Sequence, residues 1–227
     1  MMRERLNDAA IALHRVLSGG GVKFGLFGGY AVGVMGGERA TKDIDCLASA
    51  SKDQVVELLH KKDGFVVIPQ TRQDYVAFFW DDQAEGRDPV LVEIFCEKFP
   101  GSTYSMDNVE CCLLPVEGRL FGQDVSSFLD PFYLFKGKLH ATAVRSTFRD
   151  SADIRTLEYK HGPVIKPRVK ELSLEDVGLS IRQYPELELS LGRLGVDLDQ
   201  AKQAAKHIKV DLLQVPPAGD VQRGVLA

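Results

Sequence analysis

Apolar residues at Leu6, Ile11, Leu13 and Leu17, with Ala9 and Ala10 between them, recur at helical spacing and predict a first helix closed by Gly19-Gly20-Gly21. Val22 to Phe27 is a short apolar run of strand length. It meets Gly28-Gly29, and the small apolar stretch Tyr30 to Met35 then stops at Gly36-Gly37, so the order reads strand, glycine turn, short helix. Glu38 to Lys42 is a polar loop, and Asp43-Ile44-Asp45-Cys46-Leu47 alternates with the period of a strand. Ser51 or Asp53 opens an amphipathic helix carrying Val55, Val56, Leu58 and Leu59, ended by Asp63-Gly64. Phe65–Ile68, Tyr75–Trp80 and Val90–Phe95 are strand-like runs between polar turns, one of them Glu85 to Pro89. Cys111–Val116 and Arg119–Phe121 flank Glu117-Gly118 and predict a hairpin.

From Asp130-Pro131 the pattern turns helical. An Asp N-cap followed by Pro starts a helix to about Arg145. Thr147 with Asp150 fits a capping box for a helix to about Tyr159, stopped by His161-Gly162-Pro163. Ser173 with Asp176 opens another, broken at Pro185, and Asp197 to Ile208 is the last. A tail rich in Pro and Gly from about residue 215 is expected to fray. The chain thus divides into an α/β domain over 1–128 and a helical subdomain over 129–227.

Hydrophobic residues make up 44% of the 227 and charged ones 26%, enough apolar material for a core without a disulfide or metal staple. With 28 basic and 32 acidic residues the formal charge is -4. That counts against a nucleic-acid binder working by bulk charge and leaves a local basic groove open. No apolar stretch approaches the roughly 18–20 residues of a membrane span, and the N-terminus MMRERLNDAAIALHRVL lacks the apolar core of a signal peptide. Cys46, Cys96, Cys111 and Cys112 form no CxxC pair and have no His at zinc spacing, so they read as reduced thiols in a cytoplasmic protein.

The chemistry is concentrated between Phe27 and Asp45. On a strand, Asp43 and Asp45 point to one face while Ile44 packs behind them. Two like charges fixed side by side are costly unless a cation lies between them, and hard oxygen ligands of this kind suit Mg²⁺. A glycine pair between strand and helix lets backbone N–H groups approach a polyphosphate. Either feature alone is commoner as a solvated strand edge or a plain turn; together they describe a nucleoside-triphosphate site. Glu93 stands in an otherwise apolar strand, Val90 to Phe95, where a lone carboxylate needs a partner. An edge position or a basic neighbour would explain it, but beside two Asp it reads as a third carboxylate of the same site.

Phe27, Gly28-Gly29, thirteen residues (Tyr30 to Lys42) and Asp43-Ile44-Asp45-Cys46 resemble the signature of the nucleotidyltransferase superfamily that includes DNA polymerase β. Gly28-Gly29-Tyr30-Ala31 and Arg39-x-Thr41-x-Asp43-Ile44-Asp45 are similar to its small bacterial and fungal branch, with antibiotic nucleotidyltransferases and abortive-infection-type toxins. Lys138-Leu139-x-Ala141-x₃-Arg145-x₃-Arg149-Asp150-x₂-Asp153-Ile154 resembles the helical motif of the abortive-infection type. The likeness covers roughly residues 24–157, and it departs at Glu93, where many members carry Asp.

The resemblance implies an α+β fold, a mixed β-sheet with flanking helices followed by a helical C-terminal half. It implies transfer of a nucleoside monophosphate from an NTP such as ATP to a hydroxyl, with release of pyrophosphate. Asp43 and Asp45 would hold two Mg²⁺ ions, and Glu93 would be a further ligand or the base. Gly28 and Gly29 would bind the triphosphate, Lys138 would neutralise the leaving pyrophosphate, and Arg39 and Arg145 would assist. Lys136 and Lys138 have the blander reading of a wet helix face. Arg149-Asp150 and Asp153 read as an ion-pair network, Asp153 also as an orienter of Lys138. Thr41 braces the loop before Asp43, and His140 and His161 have no catalytic partner. Tyr75, Phe78, Phe79 and Trp80 read as packing, with one of them stacking on a base or acceptor as the lesser reading. The acceptor stays open among a small molecule, tRNA or other RNA, and protein. The acidic balance argues against RNA; Lys136, Lys138, Arg145, Arg149 and Arg155 argue for it. A non-catalytic nucleotide- or partner-binding protein that kept the fold is the alternative.

Overall fold

The computed structural model describes residues 2–38, 40–82, 88–145, 148–209 and 217–227. Helix α1 (Met2–Gly19) leads into β1 (Phe24–Phe27), which passes directly into α2 (Gly28–Val34); β2 (Asp43–Ser51), α3 (Lys52–Leu59), β3 (Phe65–Ile68), β4 (Tyr75–Trp80), β5 (Val90–Lys98), β6 (Cys111–Glu117) and β7 (Gln123–Leu129) follow. The seven strands form one sheet in the order β3-β4-β5-β2-β1-β7-β6. β2 pairs with β5, and β1 with β7, in parallel; every other pairing is antiparallel. The fold is therefore α+β with a mixed sheet. Central β2 shows the expected alternation: Ile44, Cys46, Ala48 and Ala50 are fully buried while Asp43 and Asp45 keep partial access to solvent.

The helical half comprises α4 (Pro131–Val144), α5 (Phe148–Ile165), a 3₁₀ segment (Lys166–Glu171), α6 (Leu174–Gln183), α7 (Leu187–Leu194), α8 (Leu198–Ala205) and α9 (Asp220–Leu226). Its start signals act as caps: Asp130 accepts from the Phe132 N–H, Ser173 from Asp176, and Asp197 from Gln200. Helix α4 is apolar on most sides because it lies between layers. Phe132, Phe135 and Leu139 join the same core as Leu26, Ile44 and Val92 of the sheet. No helix among the described residues is long and apolar enough to cross a membrane.

Four expectations are corrected. The hairpin partner of β6 is Gln123–Leu129, not Arg119–Phe121. Its polar Ser126 and Ser127 hide a buried strand, since their hydroxyls donate to the Ala10 and Phe24 carbonyls. Helix α5 runs through Pro163 to Ile165, where fully buried Ile165 anchors its end and His161 bonds the Met35 carbonyl. The break at Pro185 holds, since α6 ends at Gln183, but the next helix is α7, carried by buried Leu187, Leu191 and Leu194, ahead of the one expected from Asp197. The tail does not fray over residues 217–227: it forms α9, with Asp220, Gln222, Gly224 and Val225 buried. The expected capping residue Thr147 and the turn at Glu85 to Arg87 lie outside the described residues.

Candidate active site

The strand ends converge on a cleft of 520 Å³ between the sheet and the helical half. Phe27, Gly28 and Gly29 line it together with Asp43, Asp45, Glu93, Lys138, Arg145 and Arg149. β1 ends at Phe27, whose register partner on β2 is Asp45, and α2 begins at the next residue. Gly28 makes that junction with φ +70°, in the left-handed region where glycine is at ease. A β-carbon there would collide with the Asp45 carboxylate. Glycine is thus dictated by the close approach of backbone to carboxylate.

Across the parallel β2/β5 pairing Asp45 lies directly opposite Glu93, so the three carboxylates share one face of two neighbouring strands. Asp43 accepts a hydrogen bond from the Thr41 hydroxyl at 2.5 Å, and Glu93 accepts one from the Tyr75 hydroxyl at 2.6 Å. Burial, then repulsion from Asp43 and Glu93, lifts the Asp45 carboxyl to about 7; Lys138 and Arg145 only partly oppose this. Burial and the bond to Glu93 push the Tyr75 phenol well above its ordinary value, so it stays a donor.

The opposite wall is α4. Lys138 is buried and holds Asp150 and Asp153 at 2.8 Å each, so it is an ion-paired cleft residue, not a wet helix face. Arg145 caps the end of α4, and it and Arg149 are exposed at the mouth. Lys136 instead lines a second pocket, of 460 Å³, so the basic set does not form one surface. Arg39 lies outside the described residues.

Sequence reasoning missed the third wall. Helix α9 contributes Asp220, Val221, Gly224 and Val225, and the segment before β4 contributes Gln70 and Arg72. His140, read from the sequence as having no catalytic partner, sits between Asp176 (Nδ1, 2.9 Å) and Asp220 (Nε2, 3.1 Å). Burial disfavours its charge, but the two carboxylates outweigh burial and raise it to about 9. Nothing in the local sequence joins residues 140, 176 and 220. That juxtaposition exists only in three dimensions.

The donor set suits a hard divalent cation. Asp43 and Asp45 offer oxygen only, and burial, then repulsion from Asp43 and Glu93, raises the Asp45 carboxyl, both being costs of a buried negative charge that a cation would relieve. Among the described residues no three His, Cys, Asp or Glu side chains are gathered tightly enough to hold a metal ion as the chain stands. One or two carboxylates completed by water and substrate phosphates is the usual environment of Mg²⁺.

No protein-family model matches the chain, and no curated protein matches it in sequence. Among solved structures it is similar to an antigenic nucleotidyltransferase-like protein from Paracoccidioides brasiliensis, with 18% identity, 83% of this chain and 92% of the other covered, and a TM-score of 0.59. A nucleotidyltransferase toxin of Mycobacterium tuberculosis H37Rv is also similar, with 18% identity, coverage of 88% and 87%, and a TM-score of 0.48. The chain has the nucleotidyltransferase fold. At these identities the likeness extends to the fold and no further.

Proposed function

We propose that the protein is a nucleotidyltransferase that moves a nucleoside monophosphate from an NTP to a hydroxyl acceptor and releases pyrophosphate. The observation that carries this reading is the cleft itself: Asp43, Asp45 and Glu93 on one wall, the Gly28–Gly29 backbone beside them, and Lys138 on the other wall. A binding module has no need to hold three carboxylates against their mutual repulsion.

Asp43 and Asp45 would hold two Mg²⁺ ions, which when bound supply charge for the triphosphate and lower the pKa of an attacking oxygen. Gly28 and Gly29 bring backbone N–H groups against the phosphates, where any larger residue at 28 would meet Asp45. The acceptor oxygen attacks the α-phosphorus, and the bond from that phosphorus to the β-phosphate oxygen breaks. Glu93 takes the hydroxyl proton; its tether to Tyr75 favours this role over that of a third ligand. Lys138, fixed by Asp150 and Asp153, faces the departing pyrophosphate, with Arg145 and Arg149 at the mouth.

The test is incubation with each α-labelled NTP, Mg²⁺, total RNA and a small-molecule extract, beside Asp45→Ala. Label should enter an RNA, protein or small-molecule fraction and fall by at least about 100-fold in the variant. A folded, metal-supplied wild type that labels nothing in any fraction would overturn the reading and favour a non-catalytic protein on the same fold.

A further inference from the structure

One side chain restrains Glu93. On β4, Ala77 lies opposite Glu93 and Tyr75 opposite Phe95, which makes Tyr75 the diagonal neighbour of Glu93 on the same sheet face. Its hydroxyl donates to Glu93 Oε1 at 2.6 Å. The ring is fixed in turn. It packs against Phe95 with centroids 5.2 Å apart, and the Arg72 guanidinium lies 5.5 Å from its centre. Arg72 grips fully buried Asp74 with two bonds, Nε to Oδ1 at 3.0 Å and Nη2 to Oδ2 at 2.7 Å. The same Asp74 oxygen accepts from the Gly219 N–H at 2.8 Å, just before α9. A phenylalanine would fill the same space and keep the ring contacts. The hydroxyl adds one thing, a bond to one oxygen of the carboxylate.

Resting on the reading of Glu93 as proton acceptor, we propose that Tyr75 is a positioning residue for that carboxylate. By donating to Oε1 it stops rotation about the last side-chain bond and leaves Oε2 as the oxygen that receives the proton. Without the bond the carboxylate samples several orientations, and only some are productive.

The test compares wild type, Tyr75→Phe, Glu93→Gln and the double variant, using α-labelled NTP, Mg²⁺ and whichever of total RNA or small-molecule extract takes label. Loss of a hydrogen bond to a charged group should lower the Tyr75→Phe turnover about tenfold. KM for the NTP should stay within about twofold, because the tyrosine acts on the acceptor side. In the Glu93→Gln background the same change should cost nothing more, since the group it positions no longer takes a proton. Glu93→Asp, which draws the carboxylate away from the hydroxyl, should likewise make Tyr75→Phe nearly silent, and thermal midpoints report that each variant folds. Full turnover in Tyr75→Phe, a loss confined to KM, or an undiminished loss in the Glu93→Gln background would overturn the assignment while leaving the transferase intact. A wild type with no Asp45-dependent transfer would overturn the proposed function itself, and this assignment with it.

Discussion

At Gly28 the backbone holds φ +70° and a β-carbon would run into Asp45, so alanine there meets two penalties. The left-handed conformation costs a non-glycine residue on the order of 1–2 kcal/mol. The collision displaces the carboxylate on which the site is built. Gly28→Ala should therefore lower transfer at least about 100-fold while lowering the thermal midpoint by only a few degrees. Parallel melting and label-transfer measurements check this, and a variant of near-normal activity would show that Asp45 has room to move. Gly28, Asp43 and Asp45 were legible because each is bound to a local rule: a glycine at a strand-to-helix junction, a period of two along a strand. Tyr75 was legible as packing, or as one of four aromatics that could stack on a base or acceptor, and not as a partner of Glu93. Its bond to Glu93 depends on the offset between β4 and β5, which no local pattern encodes. Lys138 was visible as a cation on the first helix of the second half, with Asp153 as a possible orienter, but its burial between Asp153 and Asp150 depends on how α5 folds back on α4.

Helix α9 shows the same limit at the level of elements. Pro216, Pro217, Gly219 and Gly224 read as a frayed tail, yet Gly224 is small because His140 lies against it, 2.5 Å from where a β-carbon would be. Strand β7 escaped for a similar reason, its serines being satisfied by partners far along the chain. Besides the bonds of Gln222 to the Asp74 and Cys96 carbonyls, α9 is tied down by the imidazole of His140 on α4, between Asp176 on α6 and Asp220 on α9. Arg223 also reaches Asp220 at 2.8 Å and stands 3.4 Å from the ring. The folded His140 titrates near 9, above its ordinary 6.5. Its protonated form therefore contributes stability fully present below about pH 6.5 and lost as pH rises through about 9, up to roughly 3 kcal/mol. Urea unfolding of wild type between pH 6 and 10 should show this decline, and His140→Gln should flatten it. Parallel profiles for the two proteins would mean that other groups govern the alkaline limit. Because α9 walls the cleft, turnover in the wild type should weaken over the same range.

The molecule as a whole was legible in outline, as a sheet-forming half and a helical half, because strand-like and helical periodicities segregate along the chain. The way the halves close on each other was not. One core runs from Leu26 and Ile44 in the sheet to Phe132 and Leu139 in α4, and the cleft is lined from the sheet, α4 and α9 at once. A ligand that fills that cleft would meet all three walls, which only the folded chain brings together. Binding must then stabilise the whole fold by mass action, about 2.7 kcal/mol at a hundred times Kd. For a chain of this length that is a rise of about 5–10 °C in thermal midpoint. MgATP and the other Mg–NTPs should give this shift with at least one nucleotide, and NTP in excess EDTA should give much less. Asp43→Asn/Asp45→Asn should lose the metal-dependent part while melting no earlier than wild type without ligand, since removing two like charges relieves repulsion. An equal shift with and without Mg²⁺ would mean that the nucleotide is held by the basic wall of Lys138, Arg145 and Arg149 alone. The two aspartates would then have to be explained by something other than a cation.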